Sequence, residues 1–205
     1  METLQKVATE NGWTPEHDAY LAKNPNLFTE FFNTLTSLMS GLIDSFFKLA
    51  KQIVLEPTDQ EFNVKRDLSK IVALKAYGGK LDYLDDEIIK WFGKVTVKGR
   101  KEKVVAFVYR FLKNLHHRDI IATGEKFKIY RRYNIFDALT ITAQLVDAGE
   151  IEERGKGVFI YLEEERDGSL CLLGVWRNGA GELRLFVLKV YSGSEWNAGS
   201  GTVFS

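Results

Sequence analysis

Three apolar runs near the end of the chain, VFIYL (158–162), SLCLLGVW (169–176) and LRLFVLKVY (183–191), are bounded by RGKG, RDG and NGAGE. Each run is short and apolar, with β-branched or aromatic residues in it, and is bounded by glycine-containing turn sequences. That combination specifies antiparallel strands joined by tight turns, and TVFS (202–205) has the composition of a short last strand. Ahead of Glu150 the apolar period is instead helical, so the expected order is helices first and strands last.

The helical spacing is clearest from Phe28 to Val54. Phe28, Leu35, Leu42 and Leu49 form one ladder seven apart, and Phe32, Met39, Phe46 and Ile53 form a second. Phe31, Leu38, Ile43 and Phe47 widen the stripe into one amphipathic helix of roughly 40 Å. Glu30 and Asp44 break any uninterrupted apolar span, which excludes a transmembrane segment. The helix is read as the centre of its own domain, as an oligomerisation surface, or as an element lying in a membrane interface. A short helix precedes it, with Thr14 as N-cap and Pro15 at the first helical position.

After Pro57, helices are expected over 64–77 and 83–92, separated by GGK with Gly78 as a C-cap. The carboxylates Asp82, Asp85, Asp86 and Glu87 fall in the first turn of the second, where acids suit the helix dipole. A helix over 103–115 follows from the spacing of Val104, Phe107, Val108, Phe111, Leu112 and Leu115. KFKIYRRY (126–133) fits a strand or a short helix. Asn134 is placed to cap a helix over 135–147, with Ile135, Ala138, Leu139, Thr142, Leu145 and Val146 inward and Gly149 as its stop.

Formal net charge is zero, with 28 basic and 28 acidic side chains, but the distribution is uneven. Residues 1–89 carry nine basic and fourteen acidic side chains, 90–132 carry thirteen and three, and 133–205 carry six and eleven. The central excess of positive charge marks a candidate anion-binding face.

Catalytic chemistry has little to draw on. The three histidines, His17, His116 and His117, lie in no nucleophile motif, and adjacent histidines on a helix diverge by about 100°. A single cysteine, Cys171, in an apolar run excludes an intramolecular disulfide and weighs against a zinc site. No glycine-rich loop with a following lysine is spaced to cradle phosphate. No metal, no cofactor and no enzymatic activity are therefore expected. Tyr191, Trp196 and Phe204 are candidates for a ligand surface, against the simpler reading that they pack the sheet. The lone thiol and the absence of an apolar leader in METLQKVATENGW lead to a cytoplasmic expectation.

The phrase DALTITAQLVDAGEIEERGKGVFIYL (137–162) resembles the winged helix-turn-helix superfamily: a helix ending in leucine, a glycine, an isoleucine and a hairpin. The resemblance spans roughly residues 103–163. It implies a first helix over 103–115, a third over 135–147, and a wing over 150–162 with Arg154 and Lys156 at its tip. In such domains the third helix enters the major groove. Here its outward positions, Asp137, Thr140, Ala143, Gln144 and Asp147, carry no cation. Contact is therefore assigned to Lys98, Arg100, Lys101, Lys103, Arg110, Lys113, Lys126, Lys128, Arg131 and Arg132, with Arg154 and Lys156 from the wing.

Together these readings describe an α+β chain: an N-terminal helical region (1–57), a winged-helix-like centre with the basic block (58–165) and C-terminal antiparallel β-strands (166–205). The expected function is non-enzymatic binding of nucleic acid. The alternative is a structural or assembly protein that forms a homo-oligomer through the Phe-rich helix of residues 28–54 and the C-terminal strands.

Overall fold

In the computed structural model, residues 46–72, 81–151, 156–180, 182–191 and 193–205 are described. Eleven strands and four helices are seen among them. The strands are β1 (Phe47–Leu55), β2 (Phe62–Asn63), β3 (Leu81–Leu84), β4 (Thr96–Val97), β5 (Val104–Phe111), β6 (Leu115–His116), β7 (Val158–Arg166), β8 (Ser169–Arg177), β9 (Leu183–Lys189), β10 (Glu195–Trp196) and β11 (Gly201–Phe204). The helices are α1 (Val64–Val72), α2 (Asp86–Phe92), α3 (His117–Lys126) and α4 (Ile135–Asp147).

Seven strands form one mixed sheet in the order β1-β5-β11-β7-β8-β9-β3. The last strand in sequence, β11, lies between β5 and β7, antiparallel to the first and parallel to the second. β7, β8 and β9 are successive antiparallel neighbours, as their turn sequences require. The β7–β8 connection is Asp167-Gly168, with φ of +53° and +69°. Positive φ at both central residues is the primed hairpin turn whose twist matches the strands, and it explains the pairing signal in RDG.

This architecture overturns the expectation of a winged-helix centre between helical and β regions, because the largest element is a sheet drawing strands from residue 47 to residue 204. The expected helix over 103–115 is strand β5. Val104, Ala106 and Val108 are buried on one face, while Val105, Phe107 and Tyr109 are half-buried on the other. A strand apolar on both faces contains the three-and-four spacing of a helix by coincidence, and its valines and aromatics favour the pleated form.

The end of the expected long helix is likewise strand β1, paired antiparallel with β5 from Phe47–Phe111 to Leu55–Val104 with a bulge between Leu49 and Lys51. The earlier part of that helix, residues 28–45, and the Thr14–Pro15 helix lie outside the described residues. The expected helix over 83–92 splits into β3 and α2, because the Asp85 carboxylate caps the Glu87 amide at 3.0 Å and starts the helix later. Over 64–77, helix is seen as α1 to Val72, and Gly78 lies outside the described residues. Of the ambiguous KFKIYRRY, Lys126 ends α3 and the remainder is neither regular form. It is a turn and an extended segment that ends in an isolated bridge from Tyr133 to Leu162.

The helix over 135–147 is α4. Asn134 accepts the Asp137 amide at 2.9 Å as its N-cap. At the other end Gly149 has φ +73°, its amide reaches the Val146 carbonyl at 3.1 Å, and the Glu150 amide reaches Leu145 at 2.9 Å. That is a Schellman stop, in which glycine takes the left-handed position at no steric cost. α4 is buried on nearly every side, including Asp137 and Ala143, which the winged-helix reading turns outward. It lies between the sheet and α1, and the Phe136 ring stacks on Phe62 at 4.9 Å.

The sheet therefore has two unlike faces. Ile53, Leu55, Ala106, Val108, Ile160, Leu162, Leu173, Val187 and Val203 form a continuous aliphatic core with α1, α2 and α4. The opposite face is aromatic. Phe47, Tyr109, Phe111 and Phe204 meet at centroid separations between 5.6 and 6.3 Å, and α3 rests on its centre, with Gly124 against Phe204 and His117 against Tyr161. Cys171 is fully buried in the aliphatic core.

Candidate nucleic-acid interface

Three arginines of the basic block serve the fold. Arg100 donates from Nη2 to Asp137 Oδ1 at 2.6 Å and from Nε at 3.1 Å, and also reaches the Glu56 carbonyl. Their side chains are only 9% and 6% exposed. A desolvated guanidinium persists only where its charge is met, and Asp137 meets it. Arg110 points across the other end of α4, donating to the carbonyl oxygens of Glu150, Gly157 and Gly199. Arg132 holds β7, donating to the Leu162 and Glu163 carbonyls at 2.7 Å and pairing with Glu165 at 3.1 Å.

The remaining cations face solvent. Lys98, Lys101, Lys126, Lys128 and Arg131 are exposed, with no carboxylate partner among the described residues. Lys103 pairs loosely with Glu56 at 3.3 Å, both well exposed. The Lys113 ammonium sits 4.0 Å over the Phe46 ring, and the Arg131 guanidinium 5.5 Å over Tyr133. Arg154 lies outside the described residues. Lys156 runs along Gly199 and lines a cleft of about 530 Å³ with Lys48, Leu49, Arg110, Leu112 and Glu150.

Strand register sorts these groups into two sets. β5 runs roughly 24 Å from Val104 to Phe111. Lys98, Arg100, Lys101 and Lys103 precede its first residue, whereas Arg110, Lys113 and, through Gly201–Val158 pairing, Lys156 gather at its last. Arg132 contacts Leu162 to Glu165 in β7, toward the Val104 end. The Lys126–Lys128 turn is tied to the same end of β11 by the Ser205 amide on the Ile129 carbonyl at 2.9 Å. The eleven predicted residues that are described thus divide between the two ends of the outer strands instead of following one helix.

Residues that sequence reasoning did not single out join them. β1 and β5 together carry Lys48, Lys51 and Arg110 and no carboxylate. Register places Lys48, Lys51 and Arg110 on the aliphatic side of these strands, whereas Phe107 and Tyr109, half-buried, and Leu49, 52% exposed, lie on the aromatic side. The alternation in VVAFVYRF, read with a period of two, carries that signal.

Of the aromatic candidates, Phe204 is buried, Trp196 lies tilted against Phe159 with centroids 4.1 Å apart, and Tyr191 is exposed. Trp196 and Phe204 are packing residues. His116 faces solvent, whereas His117 is buried with Nδ1 3.0 Å from the Tyr161 hydroxyl. Burial pushes the His117 pKa down and the Tyr161 pKa far up, and raises Tyr130 to about 12. Glu164 Oε1 accepts the Ile135 amide at 3.0 Å, and burial raises this carboxyl above its ordinary value. Among the described residues no group of histidine, cysteine or carboxylate side chains is placed to hold a metal ion.

No protein family, curated protein sequence or solved structure matches the chain. Among the described residues, no helix is long and apolar enough to cross a membrane.

Proposed function

We propose that residues 45–205, which cluster as one compact unit, bind nucleic acid without catalysis, holding the sugar-phosphate backbone along the outer strands β1 and β5. The observation that carries this reading is charge asymmetry. Neither strand has a carboxylate, and Lys48 and Lys51 are exposed. Lys98 and Lys101 before β5 and Lys113 after it are exposed among fewer acids (Glu56 and Glu102), and Lys126 and Lys128 stand exposed beside the end of β11. Cations held on rigid strands and short loops exchange condensed counterions for protein contacts, which gives backbone affinity with little sequence preference.

Arg100, Arg110 and Arg132 take no direct part, since their donors are committed to Asp137, to carbonyl oxygens and to Glu165. They set the loops that present the lysines. Alanine substitution of Lys48, Lys51 and Lys113 together, with the fold checked by circular dichroism, tests the reading. Fluorescence anisotropy of labelled oligonucleotides at low ionic strength should show at least tenfold weaker binding than for the unaltered protein. Equal affinity for both proteins removes β1 and β5 from the interface.

A further inference from the structure

Resting on that reading, we infer that the nucleic acid is single-stranded and crosses the open edge of β1, where Lys48 and Lys51 lie on the aliphatic side of the sheet, with a base stacked on Phe107 of the opposite, aromatic face. α3 rests on the part of this face formed by β11 and β7. The part formed by β1 and β5 is different: Gln52 is exposed, and Val54, Val105, Phe107 and Tyr109 are half-buried. Tyr109 shares ring contacts with Phe47 and Phe204, whereas Phe107 has no aromatic neighbour among the described residues. Its register partner Phe204 is turned into contacts with Phe47 and Tyr109. Phe107 thus offers a ring on a rigid strand, between Val105 and Tyr109.

Charge complementarity selects the occupant. Lys113 lies beyond one end of β5, over Phe46. Lys126 and Lys128 flank the turn bonded to Ser205, directly after the register partner of Phe107. An apolar and aromatic strip with cations at both ends and no carboxylate in either strand suits a chain with phosphates outside and flat bases inside. In a duplex the base faces are already stacked, so only an unpaired strand can offer them.

The test is fluorescence anisotropy on the full chain at low salt with four labelled probes: single-stranded DNA, single-stranded RNA, the DNA strand with abasic sites, and duplex DNA. The variants are Phe107→Leu, which keeps an apolar side chain, and Phe107→Trp, which keeps a π-face. Intact single strands should bind more tightly than abasic strand or duplex. Phe107→Leu should weaken them by about 5- to 150-fold while leaving abasic binding unchanged, and Phe107→Trp should retain them.

Equal binding of intact and abasic strands, or no change in Phe107→Leu, overturns base stacking and leaves backbone binding standing. Failure of every probe to bind overturns both readings. A wild-type dimer in light scattering that Phe107→Leu dissolves, without loss of oligonucleotide binding, assigns the face to a second copy of the chain and also overturns the proposal.

Discussion

Arg100 and Asp137, 37 positions apart, form a nearly desolvated ion pair with Nη2 2.6 Å from Oδ1, and this pair fastens the β4–β5 loop to the first turn of α4. At the opposite end of the same helix Arg110 donates to the Glu150 carbonyl just past the Schellman turn. Anionic Asp137 at the N-terminal turn and cationic Arg110 beyond the C-terminal one both oppose the helix dipole favourably.

Breaking the Arg100 pair should therefore cost far more than removing a neighbouring lysine. Arg100→Ala leaves Asp137 buried without its counter-charge and should lower unfolding free energy by about 3–5 kcal/mol. Lys101→Ala should stay within about 0.5 kcal/mol. Urea denaturation of the three proteins checks the contrast, and similar midpoints for both variants would contradict a structural role for Arg100.

Gly174 is a packing requirement. A Cβ there would lie 2.1 Å from Phe186 Cζ and 2.6 Å from Cε2, inside van der Waals contact. Gly174→Ala should destabilise by about 1–3 kcal/mol or more through overpacking. Adding Phe186→Leu should recover part of that loss, a non-additivity that a double-mutant cycle reads directly. Strict additivity would mean that the two side chains do not compete for space.

The buried His117 should make stability depend on pH in a defined direction. Burial lowers its folded pKa below the ordinary 6.5, so the unfolded chain takes up a proton first as pH falls. The neutral ring's contribution is complete above pH about 7 and is lost as pH drops through about 6.5 toward the folded pKa. Relative to wild type, His117→Gln should flatten the slope of denaturation midpoint against pH in that window. The raised Glu164 carboxyl has the opposite sign, but it is common to both proteins and cancels in the difference. Parallel profiles for the two would show that His117 titrates alike folded and unfolded.

Legibility in the sequence followed how local the determining physics is. The β7–β8 hairpin, the Asn134 cap and the Gly149 stop rest on contacts within a few residues, and each was readable from RDG, NIFD and DAGE. β1 and β5 were not, because their identity depends on pairing between residues 49 to 64 positions apart: Leu55 with Val104, Phe47 with Phe111. Apolar residues on both faces of a strand also imitate a helical stripe.

The candidate site was legible in composition and not in layout. The basic block is where the counts put it, yet Arg100, Arg110 and Arg132 are tied into the fold. Asp137, expected on the outside of a helix, is the counter-ion of one of them. The three-residue spacing from Val104 puts Phe107 in a helix core, whereas on strand β5 its ring is half-buried on the aromatic face.

Backbone binding by lysines on β1 and on the loops that flank β1 and β5 is tested most directly by salt dependence. A labelled single-stranded oligonucleotide should be titrated with the protein between about 50 and 200 mM monovalent salt, by anisotropy. Four phosphate contacts predict a fall of log affinity with log salt at a slope of about −3, at about −0.7 per contact. A slope near zero, or no binding at the lowest salt, would contradict nucleic-acid recognition through this surface.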